Sequence, residues 1–392
     1  MTLAVELYRS VPRYLAAKAV GSRLGGALAG PVAPLRLVDR EEPSPPAPGW
    51  GRIRPLLAGI CGSDLTTISG KSSFYFSAVV SLPFVPGHEV VGELIDDLDG
   101  LVSGQRVVID PVLACAARGI DPQCGPCGSG QPGLCERITG GHVGPGLQTG
   151  YCADTSGGWS QSFVAHRSQL HPVPEEMTDE AAVMIEPAAC AVHAVRRAEV
   201  PRDAEVLVVG AGTIGLLTLI ALRQFAEAGR VIVVAKHQQQ ADLAHRYGAS
   251  EVVRPGEALS AVRRSTRSFR LDPERSAPYL LGGVDVAFEC VGSRASLDLA
   301  LRATRGRGKV VLSGMPAGAD LSPAWFRELQ VVGAYSGAGS FPEAVRLAGD
   351  GEIGKMVGAT YPLARWREAI DHALSAGSLG VTKVAFDPRL DE

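Results

Sequence analysis

The sequence predicts an α/β protein in which a doubly wound parallel sheet makes up one of two domains. Three observations carry this. At 392 residues the chain is long enough for two hydrophobic cores. Residues 206–215, V-L-V-V-G-A-G-T-I-G, run from an apolar strand through a glycine turn into a helix-like stretch, L-L-T-L-I-A-L. Apolar strands at 230–235, 284–292 and 308–314 then alternate with helical stretches, the pattern of a parallel sheet covered on both faces.

The bulk composition is that of an ordinary globular protein, with 46% hydrophobic and 20% charged residues. A net charge of −3 without a sustained basic face argues against a nucleic-acid partner. No run of about 18 apolar residues is present, so no membrane span is predicted. Nothing at the N-terminus reads as a signal peptide, which predicts a cytoplasmic protein. Residues 11–28 are mildly amphipathic and basic. They are expected to pack on their own domain rather than on a membrane, because their glycines weaken a free helix. The stretch P-S-P-P-A-P-G at 43–49 is a stiff connector.

Two short motifs follow that bear metal-ligand residue types. One is G-I-C-G-S-D at 59–64, with Cys61, Ser63 and Asp64; the other is P-G-H-E-V-V-G-E at 86–93, with His88 and Glu89. A third, I-E-P-A-A-C-A-V-H-A at 185–194, brings Glu186 just ahead of the glycine turn. Cys61, His88 and Glu186 offer one soft, one borderline and one hard donor, a set suited to a catalytic zinc with an exchangeable position. Glu89 is placed to enter or leave that set, and Asp64 to orient a ligating imidazole.

Between the second and third motifs stand Cys115, Cys124, Cys127 and Cys135. In a reducing compartment four thiolates this close favour a closed, structural zinc site over two disulfides. A glycine-rich segment at 139–158, with His142, Tyr151 and Cys152, either shapes a substrate pocket or forms a surface loop. The aromatic residues Phe74, Tyr75, Phe76 and Trp159 likewise read either as pocket lining or as core.

In the glycine turn, Gly210 permits the reversal of direction and Gly212 lets the backbone approach a pyrophosphate. Gly215 lets helix and strand pack closely, and Thr213 and Ile214 open the helix whose N-terminus receives the phosphates. An acid at the end of the second strand usually holds the ribose hydroxyls of NAD. Here that place is Ala235, followed by Lys236 and His237, which predicts NADP in preference to NAD. The Arg-rich segment 260–279 interrupts the strand-helix alternation and is expected to be a solvated insertion.

Taken together, C-G-S-D, G-H-E, the four cysteines, E-P and G-A-G-T-I-G resemble, in content and order, a zinc-dependent medium-chain dehydrogenase/reductase of the alcohol, sorbitol and threonine dehydrogenase group. G-A-Y-S-G at 333–337 and V-T-K-V-A-F-D-P at 381–388 fit as well, with the likeness running from about residue 31 to the C-terminus. The resemblance implies a GroES-like, β-rich catalytic domain around a Rossmann domain. The expected boundaries are 1–190 for the catalytic domain, including the N-terminal extension and a structural-zinc lobe at 115–135. Residues 191–340 form the Rossmann domain and 341–392 complete the catalytic one.

The resemblance further implies catalytic zinc at Cys61, His88 and Glu186 with Glu89 as alternate ligand, and structural zinc at the four clustered cysteines. Lys383 is expected near the cofactor. The implied reaction is hydride transfer between a zinc-held alcohol or carbonyl and the nicotinamide in a cleft between the domains, with Ser63 passing the proton. A homo-dimer or homo-tetramer is implied, with 331–335 extending a sheet across an interface.

Three departures limit the likeness. Eight residues separate Cys115 from Cys124, where relatives usually have two. Thr66 stands where many relatives carry a proton-relay histidine. The 139–158 segment is additional. They motivate an alternative in the same scaffold, reduction of an iminium or enone or a redox-neutral reaction in specialised metabolism. A zinc-stabilised binding protein without activity is the third reading, which the intact Cys61, Ser63, His88 and Glu186 oppose.

Overall fold

The computed structural model describes residues 1–20, 32–315, 318–349 and 351–390. It divides the chain into two compact units. One comprises Met1–Glu186 and Ala348–Glu392, the other Pro187–Leu347.

The first unit is β-rich. Its largest sheet runs, in spatial order, Val357–Tyr361, Lys383–Phe386, Trp50–Gly59, Val90–Leu94, Arg106–Ile109 and Leu170–Pro172, with Phe163–His166 also paired to Trp50–Gly59. The pairing of Phe386 with Ala58 and Ala385 with Gly59 is what brings both ends of the chain into one unit. Trp159, Phe163, Phe84 and Phe386 fill the core, and the indole N–H of Trp159 donates to the Gly59 carbonyl at 3.3 Å. Trp159 is therefore core, whereas Phe74 and Tyr75 are exposed.

The N-terminal extension packs on this unit. Thr2–Leu7 pairs antiparallel with Leu35–Arg40, and the Val5 and Leu7 N–H groups donate to Trp159 and Phe84. The helix Val11–Val20 docks through Tyr14, whose hydroxyl donates to Gly70 and whose ring lies 5.6 Å from Phe74. Residues 21–28 of the amphipathic stretch lie outside the described residues.

In the second unit six parallel strands lie in the order Glu251–Val253, Val231–Val234, Val206–Val209, Val284–Glu289, Thr304–Leu312, Gln330–Gly333. Ranked along the chain this is 3-2-1-4-5-6, the doubly wound order with its switch point beside the glycine turn. Val206–Val209 and Val231–Val234 are buried at every position, as strands covered on both faces must be. The Arg-rich insertion is solvated only in part: it forms the end of the helix Ala258–Thr266, which buries Ala261 and Val262, and the exposed strand Phe269–Leu271, paired with Tyr279–Leu281, whose Leu280 is in the core. Among the described residues no helix is long and apolar enough to cross a membrane.

Asp110, at the end of the strand Arg106–Ile109, is buried with Val112 N–H as a donor at 3.1 Å. Burial pushes its carboxyl from 3.8 up to about 6, against the lowering effect of that N–H. The folded chain therefore holds an extra proton, and this residue's contribution to stability is lost as pH rises from about 4 through about 6. Asp110→Asn should raise stability at pH 8 by up to about 3 kcal/mol and change it little at pH 4. Urea unfolding at the two pH values measures the difference; an equal effect at both would contradict it.

Candidate active site

Cys61 caps the N-terminus of the helix Gly62–Ile68, which fixes Asp64 in its first turn. Asp64 is buried. Its Oδ2 accepts from the Cys61 N–H at 3.0 Å and its Oδ1 lies 3.5 Å from His88 Nδ1, so one carboxylate sets both a cysteine backbone and an imidazole. Ser63 Oγ lies 3.5 Å from the other ring nitrogen, Nε2. His88 arrives on a turn that demands Gly87, at φ +97°, where a Cβ would meet Trp159 at 2.5 Å.

Beside His88, Glu89 is buried and paired with the Nζ of Lys383, equally buried. Gly59 makes room for this pair, since a Cβ there would collide with both side chains. Lys383, expected at the cofactor, thus lies on the strand Lys383–Phe386 with Glu89 as its ionic partner.

The donor atoms of Cys61, His88 and Glu89 all lie within 4.8 Å of one another. Glu186, buried in the first turn of the helix Ile185–Ala198, stands outside that trio, although its charge acts on Lys383. Burial opposes charge on His88, yet Asp64 and Cys61 outweigh it and hold the imidazole well above its ordinary value. Burial likewise opposes charge on Lys383, which Glu89, Cys61 and Glu186 keep raised. Surroundings that favour positive charge at two neighbouring buried groups, together with one thiolate, one imidazole and one carboxylate, fit a divalent zinc ion.

The second cysteine cluster has a different geometry. Cys115 Sγ lies 3.6 Å from both Cys124 Sγ and Cys135 Sγ, and the latter two are 3.9 Å apart. Tetrahedral zinc with Zn–S of about 2.3 Å spaces its sulfurs about 3.8 Å apart. Cys127 joins the group, and none of the chain's cysteines is disulfide-bonded. Backbone N–H groups of Glu136 and Cys127 hold the Cys124 thiol down, while burial pushes Cys127 up.

The long loop between Cys115 and Cys124 has a structural task that the motif reading missed. Arg118 is fully buried and donates to the carbonyls of Leu113, Gly140, Val143, Gly144 and Gly146 at 2.6–3.1 Å. It ties the cysteine lobe to the glycine-rich segment. That segment is more than a surface loop: His142 is exposed, but Tyr151 and Cys152 are buried. The Tyr151 ring packs 5.2 Å from Phe84 and 5.9 Å from His88, and its hydroxyl lies 3.4 Å from Asp64 Oδ1.

In the other unit Gly210 has φ +105°, and a Cβ on Gly215 would meet the Gly210 carbonyl at 1.8 Å. A Cβ on Gly212 would meet nothing within 4 Å, and no side chain caps the helix Thr213–Phe225. An open approach to the backbone at a helix N-terminus fits a pyrophosphate. Ala235 is buried, Lys236 is exposed, and His237 begins the helix Gln238–Arg246 with its N–H on Gln240 Oε1 at 3.4 Å.

Two family models match this chain, the alcohol dehydrogenase GroES-like domain over residues 47–175 and the zinc-binding dehydrogenase over 213–350. The chain belongs to the zinc-dependent medium-chain dehydrogenases. It is an oxidoreductase of the NAD(P)-linked alcohol dehydrogenase type, with a GroES-like and a Rossmann domain. The L-idonate 5-dehydrogenase of Vitis vinifera is 30% identical over 346 residues, covering 86% of this chain and 87% of that one. The sorbitol dehydrogenase of Arabidopsis thaliana is 30% identical over 86% of this chain and 88% of its own. In fold the dehydrogenase is similar to a Sinorhizobium meliloti 1021 protein described as a zinc-binding dehydrogenase and bound to NADP. Their TM-score is 0.72 at 24% identity, over 99% of both chains.

Removing one member of a buried ion pair leaves the other uncompensated. Lys383→Met should cost about 3 kcal/mol or more of unfolding free energy, and adding Glu89→Leu should recover most of it. Urea unfolding of the single and double variants measures this, and wild-type stability in the single variant would contradict the pairing.

Proposed function

We propose that this dehydrogenase interconverts a secondary alcohol of a polyol or sugar acid with its ketone, using NADP in preference to NAD and two zinc ions per chain. The gathering of Cys61, His88 and Glu89 around a buried spot that favours positive charge carries the reading. The polyol class rests on the idonate and sorbitol dehydrogenases to which the chain is 30% identical. When bound, zinc supplies Lewis acidity at the substrate oxygen and the dinucleotide supplies the hydride acceptor.

The chain's own residues do the rest. Cys61, His88 and either Glu89 or Glu186 hold the catalytic ion, and Asp64 fixes the imidazole. Lys383 pairs with Glu89 and holds it close by. Ser63 takes the proton that the alcohol loses. Cys115, Cys124, Cys127 and Cys135 hold the structural ion and stiffen their lobe.

Gly210, Gly212, Thr213, Ile214 and Gly215 seat the pyrophosphate. Ala235 leaves room for a 2′-phosphate, with the Lys236 ammonium and an N–H of the His237 ring as its partners. Gln330–Gly333 is a sheet edge with an exposed face, flanked by exposed Trp325 and Phe326. That edge supports a homo-oligomer joined strand to strand. Eight cysteines, none of them in a disulfide, support residence in a reducing compartment such as the cytoplasm.

Metal content, nucleotide binding and a polyol screen on one preparation test the proposal. The wild type should carry two zincs and bind NADPH more tightly than NADH. Cys61→Ser should lose one zinc and at least about a thousandfold in turnover with its fold intact. Cys124→Ser should lose the other zinc and unfold at a lower temperature. Full activity in Cys61→Ser would refute the reaction, and tighter NADH would refute the cofactor preference.

A further inference from the structure

The glycine-rich segment 139–158 is seated on the turn that delivers His88. The Gly158 N–H donates to the Gly87 carbonyl at 2.9 Å, and the next N–H, of Trp159, to that of Pro86 at 3.0 Å. A Cβ on Gly150, at φ +84°, would lie 3.1 Å from the Gly87 backbone. From this close approach the following residue, Tyr151, reaches Asp64. Its hydroxyl donates to Asp64 Oδ1 at 3.4 Å in buried surroundings. Its ring lies 5.2 Å from that of Phe84, whose backbone N–H and carbonyl both pair with Leu7 of the N-terminal strand.

The phenol has one hydrogen, and committing it to Asp64 sets the direction of the contacts behind it. Thr67 Oγ1, 3.3 Å from the phenol oxygen, is the donor of that contact, and Ser72 Oγ, 2.9 Å from Thr67 Oγ1, is the donor of the next. Ser72, Thr67 and Tyr151 therefore all donate inward, toward one carboxylate. Asp64 is held at both oxygens, Oδ2 by the Cys61 N–H at 3.0 Å and Oδ1 by the phenol. A carboxylate held at one oxygen can still pivot; held at both, its plane is fixed. Oδ1 also lies 3.5 Å from His88 Nδ1. An acceptor at that place favours the ring hydrogen on Nδ1 and leaves Nε2 as the ligating atom.

We propose that Tyr151 is a positioning residue of the catalytic metal site. Its hydroxyl, backed by Thr67 and Ser72, fixes the Asp64 carboxylate and through it the tautomer and aim of the His88 ring, so that the ion is held more tightly. The inference rests on the reading of Cys61, His88 and a glutamate as a zinc site. It gives the glycine-rich segment, which is additional to the family likeness, a task at the metal although none of its residues is a ligand.

Release of zinc from the zinc-loaded enzyme to an excess of a chelating dye tests this. The wild type should release two zincs in two phases, and the phase missing from Cys61→Ser belongs to the catalytic site. Tyr151→Phe keeps the ring and removes the hydrogen bond. It should release that zinc roughly tenfold or more faster, with the zinc of the four cysteines leaving at the wild-type rate and the unfolding temperature close to wild type. The cysteine lobe is the internal control, because Arg118 joins it to the same glycine-rich segment and a general loosening of that segment would speed both phases. Thr67→Val, which keeps the phenol but removes its donor, should speed the same phase by a smaller factor, and it decides the question should Tyr151→Phe fail to fold.

A wild-type rate for the Cys61-dependent phase in Tyr151→Phe or in Thr67→Val, or both phases accelerated alike, would overturn the proposal. A Cys61→Ser protein that keeps both zincs would instead overturn the metal reading on which it rests.

Discussion

The first, β-rich unit has to bury charge. Asp64, His88, Glu89, Glu186 and Lys383 are each exposed by 6% or less. A buried charge without a partner costs several kcal/mol. The chain meets that cost by bringing opposite charges together from distant segments: Asp64 to His88, and Glu89 to Lys383. The glycines at 59 and 87 follow from this packing, because a side chain at either would occupy space that the charged groups or Trp159 already fill. The same arrangement, which favours positive charge at His88 and Lys383, makes the spot among Cys61, His88 and Glu89 a place for a cation.

Much of the fold was legible because steric rules write themselves into sequence. G-A-G-T-I-G between an apolar strand and an apolar helix reports a turn that only glycine can make, and the structure shows the reason at Gly215. The alternation of buried strands and helices predicted the parallel sheet, and the observed strand order is that of a doubly wound fold. The gathering of the four cysteines was legible for a similar reason, since so many thiols in so short a segment point to a shared site, and the structure brings their sulfurs together.

What the sequence concealed depends on contacts between remote positions. The ionic partner of Lys383 could not be read, because nothing local reveals that its strand lies next to Trp50–Gly59 and brings its ammonium to Glu89. The loop after Cys115 looked like a tolerated insertion, yet Arg118 donates to five backbone carbonyls, those of Leu113, Val143 and Gly146 in buried surroundings. Tyr151 could be named as a candidate, but its place beside Asp64 and Thr67 depends on how the glycine-rich segment folds back. Glu186 was grouped with Cys61 and His88 from residue type; the structure gives Glu89 the nearer position.

The proposed function needs two cation sites of unlike character, one closed by four sulfurs and one mixed and able to admit substrate. Zinc-edge anomalous diffraction from crystals of the purified chain addresses this most directly. Two peaks are predicted, one among the Sγ atoms of Cys115, Cys124, Cys127 and Cys135, the other against Cys61, His88 and a carboxylate of Glu89 or Glu186. Disulfides in the lobe, or no second peak in a preparation that turns over alcohol, would contradict it.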